Sequence, residues 1–422
     1  MQRVSVDEFR RSGLAVVAPV SGKVSIPLGE AIARVSSREV RSRLPLPWFR
    51  RSAVDGYAIR AEDATMPLTV VAKVTAGRPT DRVVGPGEAV EITTGAPMPE
   101  GADAVALVER SRRTGDTVVI DEPMRQGLHV SPVGEDFGVG QVLLAKDAPV
   151  APIVVAALAS QGQERVEVWR RPRVAILSTG DELSPLGSDL RPGQVYDVNG
   201  AILEAMVREA GGEPVRVPSV ADRYEDVRDR LLALIADPTW DILVSSGGTG
   251  ASIPVFEGRD IRTLHDLIPG VAAELGELIH HGIRMSPGRP TALARLGQRP
   301  FFALPGWPYA VLVHFEMLVE PAIRRAAHMP PRARRPVMGR LASPIPAMPD
   351  FTWVIQARFE PGEEGVPAVI PLLPPPPPSA SRVMTQMLEA DGILIVEAEE
   401  PLDVGASVTV WTDPRQPVRG SW

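Results

Sequence analysis

Along the chain the spacing of apolar residues changes rhythm several times, and each change marks a different kind of element. Near the N-terminus, "SVDEFRRSGLAVV" and "PLGEAIARVSSREVRS" space their apolar positions as two short amphipathic helices, with Ser5 or Asp7 able to cap the first. From residue 46 to 146 the period becomes two. "LTVVAKVTAG", "GEAVEITTGA", "DAVALVER" and "DTVVIDEP" predict strands punctuated by Gly, Pro and Asp, and together a separate all-β module. Within 147–172, "APIVVAALASQGQERVEVW" predicts a helix and a strand that rejoin the zone of residues 1–45.

Residues 173–328 alternate buried strands with helices. "RVAILS" and "WDILVSS" are apolar strands, "EPVRVPSV" and "RPFFALPG" are further strands, and "NGAILEAMVREAGG" and "DRYEDVRDRLLALIAD" are helices. Asn199 is the expected cap of the first helix. A long closing helix is expected over "YAVLVHFEMLVEPAIRRAA". This alternation predicts a parallel sheet covered on both faces, with ligands outside the carboxyl ends of its strands. Residues 329–422 return to strands, "FTWVIQARF", "DGILIVEA" and "ASVTVWTD", interrupted by the extended run Pro374 to Pro378.

Length and composition narrow what this architecture can do. With 422 residues, 44% hydrophobic and 23% charged, the chain is long enough for several domains. A formal net charge of −7 argues against non-specific binding to nucleic acid or acidic membranes. An anionic ligand then needs a local positive site or a bound cation. Absence of cysteine excludes disulfides, thiolate metal sites and cysteine nucleophiles. The charged start, "MQRVSVDEFR", lacks the apolar core of a signal peptide, and no apolar run is long enough for a bilayer, so the cytoplasm is the expected location.

Three strands of the 173–328 segment empty into polar turns that carry glycine: "LSTGDEL", "SSGGTG" and "LPGWP". Three such turns at the ends of one sheet make a cleft floor, and backbone amides in them suit phosphate-like anions. Asp55 in "SAVDGYAIR" and Thr94 in "ITTGAPMPEGADAV" are candidates in the β module. Adjacent His280 and His281 point to opposite faces of a strand and cannot share a metal. The "GxSxG" and "GxxxxGK[ST]" patterns are absent.

Taken together, "SAVDGYAIR", "TGAPMPEGADAVALVE", "RRPRVAILSTGDEL", "SSGGTG", "MSPGRPTALARL", "FFALPGWPYA" and "ADGILIV" occur in the order seen in the molybdopterin molybdotransferases, which this sequence resembles over nearly its whole length. The resemblance implies a multidomain α/β and β fold. Its parts are a helical/β linker and dimerisation domain (1–45 plus 147–172), a β module (46–146), a parallel-sheet molybdopterin-binding α/β domain (173–328) and a C-terminal β-barrel (329–422). It implies insertion of molybdate into adenylylated molybdopterin with release of AMP, dependent on magnesium, to form molybdenum cofactor. It also implies a cytoplasmic homodimer whose cleft the partner subunit completes.

By the same resemblance Asp55, Thr94, Glu182 and Asp222 are catalytic, with Glu182 and Asp222 holding the metal. Ser246, Gly247, Gly248, Thr249 and Gly250 cradle phosphate, and Pro287, Gly288, Arg289, Pro305, Gly306 and Pro308 line the same pocket. The sequence departs from the family at Arg50 and Arg51, at "SPGRP" (Ser286 where a cationic residue is usual), and at "LPGWPYA" (Trp307 where a small amide is usual). Asp260 stands further from the glycines than its family counterpart. These departures keep open an alternative, a paralogue that binds molybdopterin or a nucleotide as carrier or scaffold.

Overall fold

The computed structural model describes residues 3–250, 267–373, 383–397 and 399–413. Asp260 and the run Pro374 to Pro378 lie outside them. The chain forms two compact units, residues 25–168 and residues 1–24 with 169–422.

In the first unit a six-stranded sheet runs in the order Ala104–Leu107, Gly56–Ile59, Glu88–Ile92, Leu68–Val74, Thr117–Ile120, Ser111–Thr114. Period-two patterning sorts its faces. Tyr57 and Ile59 enter one core with Leu68 and Val118, whereas Ala58 enters the other with Val90 and Val105. The helix expected over "PLGEAIARVSSREVRS" does not form. Only a single 3-10 turn, Leu28–Glu30, precedes a left-handed backbone at Ala33 (φ 61). Leu28, Ala31 and Val40 instead bury against Leu144, Leu158, Val166 and Val168, and Val40–Arg41 pairs with Val142–Leu144. Burial on both sides of the segment overrides its helical spacing.

The second unit carries the α/β layer. Its elements are β1 (Arg173–Thr179), α1 (Val198–Glu209), β2 (Glu213–Val220), α2 (Tyr224–Ala236), β3 (Ile242–Ser246), α3 (Leu267–Leu275), β4 (Glu277–His281), β5 (Ala292–Leu296), β6 (Arg299–Leu304) and α4 (Pro308–His314). The strand order is β2-β1-β3-β6-β5-β4. Neighbours from β2 to β6 run parallel, as the alternating pattern predicts. The sheet is nevertheless mixed, because β5 and β4 are antiparallel additions. Leu296 faces Arg299 across a two-residue turn opened by Gly297 (φ 63), a hairpin that sends β6 back beside β3.

Two buried clusters cover the two faces. Val174, Ile176 and Val244 point to one, Ala175, Leu177 and Leu243 to the other. The helix Val6–Ala15 belongs to this unit, where its Phe9 is fully buried. Its cap is Ser5, whose side chain accepts the Glu8 N–H at 3.1 Å. The closing helix is broken as α-helix: after α4 comes a π turn, Phe315–Val319, and then a helix over Glu320–Ala326. Pro321 lacks an N–H and its ring crowds the preceding turn, which explains the wider winding just before it.

Five strands, Arg335–Leu341, Ala368–Pro371, Thr352–Glu360, Gly392–Val396 and Ser407–Thr412, pair in a closed ring and form the C-terminal barrel. Leu341, Phe359, Val369, Leu394 and Val410 lie in its core. The Tyr309 hydroxyl donates to the Val354 carbonyl at 2.9 Å, tying α4 to a barrel strand. No helix among the described residues is long and apolar enough to cross a membrane.

A candidate cleft at the carboxyl ends of the parallel strands

The turns after β1, β3 and β6 converge on one cavity of about 300 Å³. Ser178, Thr179 and Glu182 come from the first turn, Ser246 to Gly250 from the second, and Pro305, Gly306 and Trp307 from the third. Asn199 and Asp222 reach it from α1 and from the segment after β2. This is the position a parallel sheet reserves for ligands.

The glycine-rich turn after β3 is dictated first by the fold itself. Gly247 sits at φ 94, and a Cβ there would lie 2.3 Å from the Thr179 carbonyl oxygen. Gly248 sits at φ 61, and its Cβ would meet Ile268 at 2.8 Å. Only glycine fits both positions. Packing demands them before any ligand does, because β1 and α3 already press against this backbone. The Gly247 N–H donates to the Leu304 carbonyl at 3.2 Å and so is not free to meet a ligand.

The acids gather close to the same turn: a Cβ on Gly248 would lie 3.7 Å from Asp222 Oδ1. The Asp222 carboxyl is held above the ordinary range, first by desolvation and then by the negative charges of Glu182 and Asp181. The Asp222 N–H donates to Asp181 Oδ1 at 3.2 Å, which keeps the two acidic segments together. No Lys or Arg is among the described residues lining this cavity. Among the described residues no three His, Asp or Glu side chains group as a metal cage. Magnesium, however, keeps several waters and is usually held by one or two carboxylates with substrate phosphates, a donor set that Glu182 and Asp222 fit.

Asn199 is not the helix cap. Asp197 is: its Oδ1 accepts the Gly200 N–H at 2.8 Å while its other oxygen pairs with Arg216. Asn199, the second residue of the helix, donates through Nδ2 to Ser246 Oγ (2.8 Å) and to the Gly306 carbonyl (2.6 Å). It thereby joins the second and third turns. Sequence reasoning missed this role, although an Asx pair two residues apart was its visible signal.

The remaining candidates divide. Pro305 and Gly306 line the cavity, but Pro287, Gly288, Arg289 and Pro308 are not among the residues lining it; Pro290 is. The Pro287 carbonyl accepts from buried His314 Nε2 at 2.7 Å, and a Cβ on Gly288 would strike the same ring. Burial pushes the His314 imidazole down to about 4, so it is neutral and acts as a strut for this turn. The Arg289 guanidinium lies over the Phe351 ring, 4.6 Å from its centroid. Pro308 opens α4. In the first unit Asp55 and Thr94 do meet: Asp55 Oδ1 accepts the Thr94 N–H at 2.6 Å and its Oγ1–H at 3.0 Å.

These features define a multidomain protein whose α/β layer opens a polar cleft, lined by glycine-turn backbone and carboxylates, at the carboxyl ends of its parallel strands. Residues 4–162 match the family model of the MoeA N-terminal region (domains I and II), and residues 175–325 match that of a probable molybdopterin binding domain. The chain is 36% identical over 311 residues to a molybdopterin molybdenumtransferase of Nostoc sp., covering 71% of this chain and 68% of that one. It is 33% identical over 338 residues to molybdopterin molybdenumtransferase 2 of Mycobacterium tuberculosis, covering 77% and 80%. The crystal structure of a molybdopterin biosynthesis MoeA protein from Pyrococcus horikosii is similar throughout, with a TM-score of 0.80 at 30% identity over 98% of this chain and 100% of that one. The chain belongs to the molybdopterin molybdenumtransferase family, and its role is in molybdenum cofactor biosynthesis.

Proposed function

We propose that the enzyme inserts molybdate into adenylylated molybdopterin and releases AMP, with Mg2+ held at Glu182 and Asp222. The observation that carries this reading is the cleft's polarity: the backbone of Gly248 to Gly250 and the mutually repelling carboxylates of Glu182 and Asp222 meet in it, with no Lys or Arg among the described residues that line it. Mg2+ supplies charge neutralisation for the phosphate oxygens and for the leaving AMP. Backbone N–H groups of the glycine turn hold a phosphate in place without side chains intervening. Asn199 fixes the spacing of that turn against Gly306, so the amides are set before the ligand arrives. Glu182 and Asp222 orient the cation side of the same phosphate linkage. When the linkage to adenylate breaks, a water oxygen bonds to one phosphorus, AMP leaves from the other side of the bond, and the water proton passes to solvent.

Asp55 and Thr94 belong to this proposal as groups that a partner subunit of a homodimer adds to the cleft. The four-domain division given by the sequence resemblance belongs to it as well. The test is to incubate the purified enzyme with adenylylated molybdopterin, molybdate and Mg2+, and to follow AMP release together with reconstitution of an apo molybdoenzyme. AMP and active molybdoenzyme rising together are expected. Tight binding without AMP would mark a carrier instead.

A further inference from the structure

Trp307 and Asn199 both line the cleft, and Asn199 bonds the carbonyl of Gly306, the residue just before Trp307. The Trp307 indole is 43% exposed, in a protein that buries most of its large apolar side chains. It directly follows Gly306, on the extended residue (φ −80, ψ 126) that precedes α4, and it borders the cavity. Water-exposed indole surface costs free energy, and a flat ring presented at a cavity rim recovers it by stacking. Asn199 supplies the polar complement. Its Nδ2 is committed to Ser246 Oγ and the Gly306 carbonyl, while its Oδ1 is buried with no hydrogen-bond partner. The amide cannot be flipped, because Oδ1 would then face the Gly306 carbonyl, acceptor against acceptor. A buried acceptor left unmatched in the protein calls for a donor from a ligand.

We infer that Trp307 and Asn199 form a ring-recognition subsite, in which the indole stacks on a planar nitrogen heterocycle and Asn199 Oδ1 accepts an N–H from that ring's edge. The inference rests on the proposed reading of the cleft and deepens it, since that substrate carries two such rings, a pterin and an adenine. Both offer a flat face and an edge amino group, and the experiment separates them.

Binding of 6-carboxypterin, AMP and inorganic pyrophosphate is measured by isothermal titration with Mg2+ for the wild type, Trp307→Phe and Trp307→Leu. Circular dichroism melting confirms that each variant folds. Trp307→Leu is expected to weaken one of the two ring ligands about tenfold or more, the size of losing one stacked ring. Trp307→Phe stays within about threefold of wild type, since a phenyl still stacks. Pyrophosphate affinity stays unchanged. The ring that loses affinity is the occupant. An analogue of that ring without its amino group then binds more weakly to the wild type, but not to Asn199→Ala. Unchanged binding of both rings to Trp307→Leu overturns the subsite. Failure of the wild type to bind either ring, while AMP is still released from adenylylated molybdopterin, overturns the subsite and leaves the reaction standing. Ring binding with the expected sensitivity but no AMP release overturns the reaction and keeps the subsite.

Discussion

The protein holds two aspartates in opposite electrostatic states. Asp55, exposed on the β module, accepts an N–H and an O–H from Thr94, and these bonds hold its carboxyl below the usual range. Asp222, in the α/β cleft, is held above it by desolvation and by two neighbouring acids. The first charge is satisfied by its own module. The second is stressed until something positive arrives. That contrast fits the proposed division between a carboxylate held as a fixed anion and one that would accept a cation.

The largest expected effect breaks the cation side. Glu182→Gln keeps size and hydrogen bonding but removes a charge, so AMP release should fall about a hundredfold or more while ligand affinity changes little. Loss of affinity with the rate retained would refute the assigned role. Next comes the amide side. Gly247→Val forces a side chain into the Thr179 carbonyl at an unfavourable φ, a cost of about 1–3 kcal/mol in denaturant unfolding. Phosphate-ligand binding should weaken with it.

On the β module, Asp55→Asn preserves the acceptor for Thr94 and discards only the charge. Turnover is expected to drop about tenfold with the melting temperature unchanged; a variant as active as wild type would remove Asp55 from the reaction.

The smallest effect is on stability. Because the folded Asp222 carboxyl lies above its unfolded value, its contribution is full below the unfolded pKa and is lost as pH rises through the folded one. Asp222→Asn should therefore raise, not lower, the melting temperature at pH 7 without Mg2+. Mg2+ should stabilise the wild type more than the variant.

Much of the cleft was legible in the sequence because strand ends and glycine turns are local signals. "LVSS" followed by two glycines, the acids of "TGDEL" and the helix starting at Tyr224 all stand where periodicity put them. What stayed hidden depends on partners far along the chain. Asp197 rather than Asn199 caps α1 because Arg216, on the neighbouring strand, pairs with it and because Ser246 and Gly306 take up Asn199. The segment after Leu28 abandons helix for contacts with residues more than a hundred positions away. The antiparallel β5–β6 hairpin turns on Gly297, a role that a strand pattern alone does not announce.

A crystal structure of the enzyme with adenylylated molybdopterin and Mg2+ tests the central claim most directly. The account requires a phosphate oxygen about 3 Å from backbone nitrogens between Gly248 and Gly250, with the ion between that phosphate and the Glu182 and Asp222 carboxylates. A phosphate seated away from this turn, or an ion bound without either acid, would contradict it.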